Sequence, residues 1–226
     1  MGDVPHVQFD RSAVPLFPLP NVVLFPRAVL PLHIFEERYR AMTADALRGD
    51  GVIAMALLRP GWEKCYYAAP AIEPVVCVGR ILTHEKLPDG KYNFLLQGLA
   101  RGTVVGEDRT RPYRVGRIQL NAEADVMEID LENERHRLTC MFSEGICSNL
   151  PVVKQFRQML TSTMPTSEIA DLLAFNFIDD VRVKQSLLSE SDPRRRVERL
   201  IAILDELRPI LESAVRRKMR SADSMN

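Results

Sequence analysis

The stretch from Val14 to Met42, VPLFPLPNVVLFPRAVLPLHIFEERYRAM, constrains this chain more than any other. Apolar bursts are interrupted by Pro15, Pro18, Pro20, Pro26 and Pro31. Proline fixes φ and donates no backbone hydrogen bond, so helix interiors and central ladders exclude it. The residue before each proline is also pushed toward extended backbone. The first two thirds is therefore a rigid, extended path. Its Val, Leu and Phe side chains demand burial, each worth roughly 1.5–3 kcal/mol. Beyond Pro31, Phe35, Tyr39, Met42 and Ala46 recur at helical spacing among Glu36, Glu37, Arg38 and Arg40. That pattern predicts an amphipathic helix ending near Arg48 and Gly49. The prolines, Arg27 and His33 make the stretch unfit to span a membrane as a helix. No basic n-region with a clean apolar run marks a secretory signal.

Downstream, apolar runs bounded by turn residues predict strands over 51–59, 75–83, 92–99, 103–105 and 112–120. Asp89-Gly90 supplies a tight turn, and Gly79 marks a bulge or a close approach. Past about residue 125, glycine and β-branched residues thin out and helical periodicity takes over. Met127, Leu131, Leu138, Met141 and Phe142 predict a helix running to about residue 149. Pro151 starts a second, reaching Leu160. Thr166 or Ser167 caps a third, carrying Ile169, Leu172, Leu173 and Phe177. Asp179-Asp180 caps a fourth, over 181–190. Asp192-Pro193 opens a fifth, whose Val197, Leu200, Ile201, Leu204, Leu207 and Leu211 form a heptad-like stripe toward Met219. The expected class is α+β, with a β-rich domain over 1–124 and a helical bundle over 125–226.

The order Pro–Leu–Phe–Pro–Leu–Pro, Val–Leu–Phe–Pro and Pro–Leu–His–Ile–Phe–Glu–x–Arg–Tyr closely resembles the start of the LON substrate-binding domain, the N-terminal region of ATP-dependent Lon proteases. Further matches follow in order: Val78, Gly79 and Ile81; Asp89-Gly90; Gly98 and Arg101; Pro112-Tyr113. In the helical part they continue with Ile169-Ala170-Asp171, Ala174, Lys184-Gln185, Leu187-Leu188, Asp192-Pro193 and Arg196. The resemblance covers nearly the whole chain. It implies an N-terminal PUA-like pseudo-β-barrel with one helix, followed by a C-terminal α-helical bundle. It also implies a role in recognising polypeptide. No GxxxxGK[ST] occurs to cradle nucleotide phosphates. The expectation is thus a non-catalytic version without the family's AAA+ motor and Ser-Lys protease, needing no cofactor. Unfolded or tagged polypeptides are its expected partners, with a separate protease or chaperone behind them. The final stripe permits an oligomer.

Charge and cysteines narrow the alternatives. The formal net charge is +0 and the sequence pI about 6.9, which argues against a dedicated nucleic-acid binder. Arg101, Arg109, Arg111, Arg114 and Arg117 nevertheless form a local basic run, and PUA-like folds bind RNA. An RNA-binding protein using the 109–117 region is the alternative. Only Tyr113 is close enough to offer a stacking platform, so RNA stands second. Cys65, Cys77, Cys140 and Cys147 show no CxxC spacing, which predicts thiols in a reducing cytoplasm.

His136, Cys140 and Cys147 nearly share a helix face. Cys140 and Cys147 stand roughly 10 Å apart along the axis, beyond the reach of one zinc. A second packed face, with no metal, is the expectation. Cys77 and His84 fall on opposite faces of a strand. Glu36 and Glu37 do not face each other; Glu36 with Arg40 is an i,i+4 pair, and Glu36 or Arg38 ties the helix to Arg101. Trp62 sits in a Pro-Gly-Trp-Glu-Lys loop, either as an exposed peptide-binding anchor or as a cap on the core. With His33, Tyr92, Arg101 and Tyr113 it makes the set of candidate peptide or partner contacts. No catalytic residue is expected.

Overall fold

The structure, a computed structural model, describes residues 9–64, 69–143 and 151–223, without the side chains of 151 and 210–223. Six strands are found among them: β1 (Val14–Leu19), β2 (Val29–Ile34), β3 (Val52–Leu57), β4 (Val75–Lys86), β5 (Tyr92–Asp108) and β6 (Val115–Leu120). Six helices accompany them: α1 (Glu37–Arg48), α2 (Glu132–Ser143), α3 (Pro151–Leu160), α4 (Thr166–Phe177), α5 (Val181–Ser189) and α6 (Pro193–Asp223). The described residues group into two compact units, those within 1–122 together with 178–189, and those within 123–177 together with 190–226.

In the first unit the strands neighbour one another as β2-β5-β4-β3-β1-β6, and β6 pairs back onto β5. The ring β5-β4-β3-β1-β6 is therefore closed, with β2 attached outside it. Val14, Leu16, Ala54, Ala56, Val76, Val78 and Ile118 pack together as a core. Closure depends on β5 changing partners. Its first part pairs with β2 as far as Gln97, and its second with β6 from Gly102 onward. Sequence punctuation breaks this strand at Gly98 and Gly102, yet the chain runs through both as one strand. The glycines serve packing here. A Cβ on Gly98 would overlap the carbonyl of Phe25. Its register partner Gly79 would meet Leu96 Cγ at 2.9 Å and Leu24 at 3.2 Å.

Over this glycine pair runs the proline-bounded segment 20–28. It buries Val23, Leu24, Phe25 and Ala28. Arg27 N–H donates to Gly98 O at 2.8 Å, and Gly98 N–H donates to Ala28 O at 2.9 Å. These bonds deliver the chain into β2 alongside β5.

Helix α1 buries Tyr39, Met42 and Ala46, as its spacing predicts. Phe35 departs from the pattern. Glu36 is extended, with φ −66° and ψ 135°, so the helix begins after it and leaves Phe35 61% exposed. The expected Glu36–Arg40 pair is replaced as well. Arg40 Nε donates to Gly90 O at 2.8 Å, and Glu36 pairs with Arg38 at 2.9 Å.

Helix α5 groups with the sheet. Arg182 donates to Leu58 O at 2.9 Å and pairs with Glu73 at 3.0 Å. Gln185 Nε2 donates to Val75 O at 2.8 Å, and Arg101 Nε donates to Leu188 O at 3.1 Å. Asp180 Oδ1 caps the helix, accepting from the amides of Arg182 and Val183.

In the second unit, 128–131 form a 3-10 turn before α2. Met127 therefore lies outside the helix that its spacing predicts, and it is 65% exposed. Leu131, Leu138 and Phe142 are buried. The rings of Phe142 and Phe156 each meet Phe177 edge-on, at 5.5 and 5.4 Å. Glu128 accepts the Thr166 amide at 2.9 Å, so the start of α4 is satisfied from outside rather than by its own capping side chain. Arg135 gathers the carbonyls of Leu160, Ser162 and Met164 beyond α3. Helix α6 buries Val197, Leu200, Ile201 and Leu204. Ahead of that stripe, Arg196 is 2% exposed and pairs with buried Asp171 at 3.1 Å and with Glu123 at 3.0 Å. It also donates to Glu190 O at 3.0 Å.

Two substitutions test these contacts by urea denaturation. Gly98→Ala is expected to lower the unfolding free energy by about 2–4 kcal/mol, and a loss under about 0.5 contradicts the close approach. Asp171→Leu is expected to cost roughly 3–5 kcal/mol because it removes the buried carboxylate beside Arg196 and leaves only the more exposed Glu123, and adding Arg196→Met should recover part of the loss.

Candidate functional site

Beyond the closed ring, β2, the start of β5 and the end of β4 form a three-stranded arm. Its register places His33, Asn93 and Glu85 in one row and Pro31, Leu95 and Thr83 in the next. Side chains alternate across a strand, so these six share one face. The opposite face of β5 carries Tyr92, Phe94 and Leu96, all buried. The register shifts between Ile81 and Thr83, and Leu82 there is 49% exposed.

An open groove of about 460 Å³ runs across the arm, lined by both rows together with Leu32, His84 and Phe94. His33 Nδ1 lies 2.7 Å from Asn93 Oδ1, and its ring lies nearly parallel to that of Phe35, with centroids 6.3 Å apart. Exposed Val29, Leu95 and Phe35 give the face its apolar character. A concave, partly apolar surface with a few polar anchors suits binding. Among the described residues, no group of three or more His, Cys, Asp or Glu is placed to hold a metal.

Of the five candidate residues, His33 lines this groove. Tyr92 is buried beneath Lys86, whose Nζ stands 5.7 Å from the ring centroid. Arg101 is buried on the α5 carbonyl. Trp62 is half-buried against the barrel core. Tyr113 is buried too. Its hydroxyl donates to Asp45 Oδ2 at 2.6 Å and accepts from Arg111 Nη1 at 2.8 Å. That hydroxyl is the main cause holding the Asp45 carboxyl below its ordinary pKa; Arg48 and Arg111 lower it further, against the effect of burial.

The basic run is largely neutralised. Arg114 is buried, donating twice to Glu107, at 2.8 and 2.6 Å, and once to Pro70 O. Arg109 pairs with Glu107 at 3.6 Å, and Arg111 with Asp45 at 3.6 Å. Arg117 alone of this run combines exposure with no carboxylate partner among the described residues.

The expected packed face on α2 is overturned. His136 and Cys140 are exposed, with Nε2 and Sγ 3.6 Å apart, because only Leu138 and Phe142 of that helix turn into the core. Cys65 and Cys147 lie outside the described residues. Cys77 is buried and His84 exposed. Sequence reasoning passed over Phe35, Glu85, Asn93 and Leu95 as site residues. The period-2 alternation through 92–97 was the available signal, but its outward face cannot be told from an ordinary solvated one.

The sequence model of the ATP-dependent protease La (LON) substrate-binding domain matches residues 13–206, and the chain belongs to that family. It is 29% identical over 218 residues to Lon protease 2 of Myxococcus xanthus, covering 93% of this chain and 25% of that protein. The chain thus spans about a quarter of the length of the curated relatives it matches. A crystal structure of a Lon N-terminal domain protein from Xanthomonas campestris superposes with a TM-score of 0.59 at 24% identity, over 84% of this chain and 98% of that one. The N-terminal domain of the Mycobacterium avium complex Lon protease gives 0.67 at 13% identity, over 86% and 98%. These likenesses establish the shared fold. No helix among the described residues is long and apolar enough to cross a membrane.

Tyr113→Phe is expected to cost about 1 kcal/mol at neutral pH. Asp45 has a lowered folded pKa, so its contribution is complete above the unfolded value of about 3.9 and is lost as pH falls through the folded one. The gap between wild type and variant should therefore shrink in acid. A gap that widens below pH ~4 contradicts the assignment.

Proposed function

We propose that this chain recognises extended or unfolded polypeptide on the β2-β5-β4 groove and leaves its covalent bonds intact. The observation that carries this reading is an open, partly apolar sheet face in a member of a substrate-binding domain family. Pairing of a client with the outer edge of β2 is a weaker option. Pro31 sits mid-strand and offers no backbone donor, a feature that blunts edges. A segment lying across the face avoids that obstacle. Lon proteases are the named relatives, which supports an adaptor role beside a separate protease or chaperone in the cytoplasm. The closed five-stranded ring supports the PUA-like description. The neutralised arginines leave RNA with no observation in its favour.

A permanently unfolded, reduced and alkylated polypeptide should bind the full chain, whereas the folded form of the same polypeptide should not. Leu95→Asp should weaken binding at least about fivefold, since burying an unpaired charge opposes docking, with no change in melting temperature. Equal binding of folded and unfolded forms, or none of either, overturns the proposal.

A further inference from the structure

The groove has a charge as well as a shape. Glu85 is the one formally charged side chain in its lining. It is exposed and has no hydrogen-bond or ion-pair partner among the described residues. Its neighbours on the face are the neutral amide of Asn93 and the apolar pair Leu95 and Pro31. Lys86 is adjacent in sequence, but its ammonium lies near the Tyr92 ring, on the opposite face of the arm. No lysine or arginine lines the groove.

At the β2 end stand His33 and Phe35, their rings inclined by only 28°. Phe35 is 61% exposed and His33 is exposed beside it, so the two rings present aromatic surface to solvent at the end of β2. Two strand spacings, roughly 10 Å, separate the His33 and Glu85 backbones. A long side chain from a backbone lying in the groove reaches between them. A guanidinium matches both ends, because it stacks on aromatic faces and bonds a carboxylate with paired N–H groups.

Building on the polypeptide-recognition reading, we infer that the groove selects segments in which an arginine adjoins bulky apolar residues. The arginine bonds Glu85 and stacks toward Phe35, and the apolar neighbours cover Leu95 and Pro31. Acidic segments are repelled.

The test uses the full chain and three short fluorescent peptides identical except at one central residue, Arg, Gln or Glu, flanked by Leu and Phe. Fluorescence anisotropy at low salt should rank them Arg, then Gln, then Glu, with the spread narrowing at high salt as exposed charges are screened. Glu85→Lys should weaken the Arg peptide about fivefold and strengthen the Glu peptide, inverting the order. Phe35→Ser should weaken the Arg peptide about threefold and the Gln peptide less. Both positions are exposed, and a melting curve for each variant checks the fold. Peptides that bind wild type and Glu85→Lys in the same order overturn the charge selection while leaving polypeptide recognition standing. Failure of all three to bind wild type sinks both.

Discussion

Everything in the sheet unit depends on one backbone crossing: Phe25 to Ala28 laid directly on Gly98. Two hydrogen bonds, Arg27 to Gly98 and Gly98 to Ala28, fasten it. Any side chain at Gly98 would displace the Phe25 carbonyl. The crossing falls where β5 stops pairing with β2 and has yet to meet β6. It therefore separates the closed ring from the arm, and it sets where β2 begins. The chain turns there, with Arg27 at φ 63° and the Ala28 amide donating to Phe25 O at 3.2 Å, and Leu24 and Phe25 are buried just ahead of the turn.

The arm inherits its character from that placement. Once β2 is docked at Val29, alternation decides which side chains face solvent, and the register decides which meet. His33 reaches Asn93 across sixty positions of sequence, and Asn93 in turn stands opposite Glu85. The inner face is buried by Tyr92, Phe94 and Leu96, which holds the outer face in a fixed geometry. A binding surface built on paired strands loses less order on docking than one built on a loop.

Much of this was legible in the residues. The extended path predicted by the prolines holds in β1 and β2 but breaks at Pro26-Arg27, where Arg27 takes φ 63°, and Asp192 caps α6 as its Asp-Pro pair predicts. Two motifs distant in sequence, Ile-Ala-Asp and Asp-Pro-x-x-Arg, meet as the buried Asp171–Arg196 pair. What stayed hidden was long-range. Gly98 looks like a strand break until the Phe25 carbonyl is seen against it. Phe35 fits helical spacing, but the extended Glu36 starts the helix after it. The fourth predicted helix sits with the sheet because Arg182 reaches the Leu58 carbonyl just past β3 and Gln185 the Val75 carbonyl of β4, a preference that periodicity does not encode. The arginines looked like a patch only while Glu107 and Asp45 were out of view. Of the candidate contacts, Tyr92, Arg101 and Tyr113 proved to be framework, since an aromatic or arginine suited to a hot spot suits a buried anchor equally well.

The central claim is that the outer face of the arm is where polypeptide is held. Amide hydrogen exchange on the full chain, with and without a saturating unfolded polypeptide, addresses it directly. The account predicts added protection confined to residues 29–35, 82–86 and 92–97. Protection that appears only elsewhere, or a profile unchanged by a client that demonstrably binds, contradicts it.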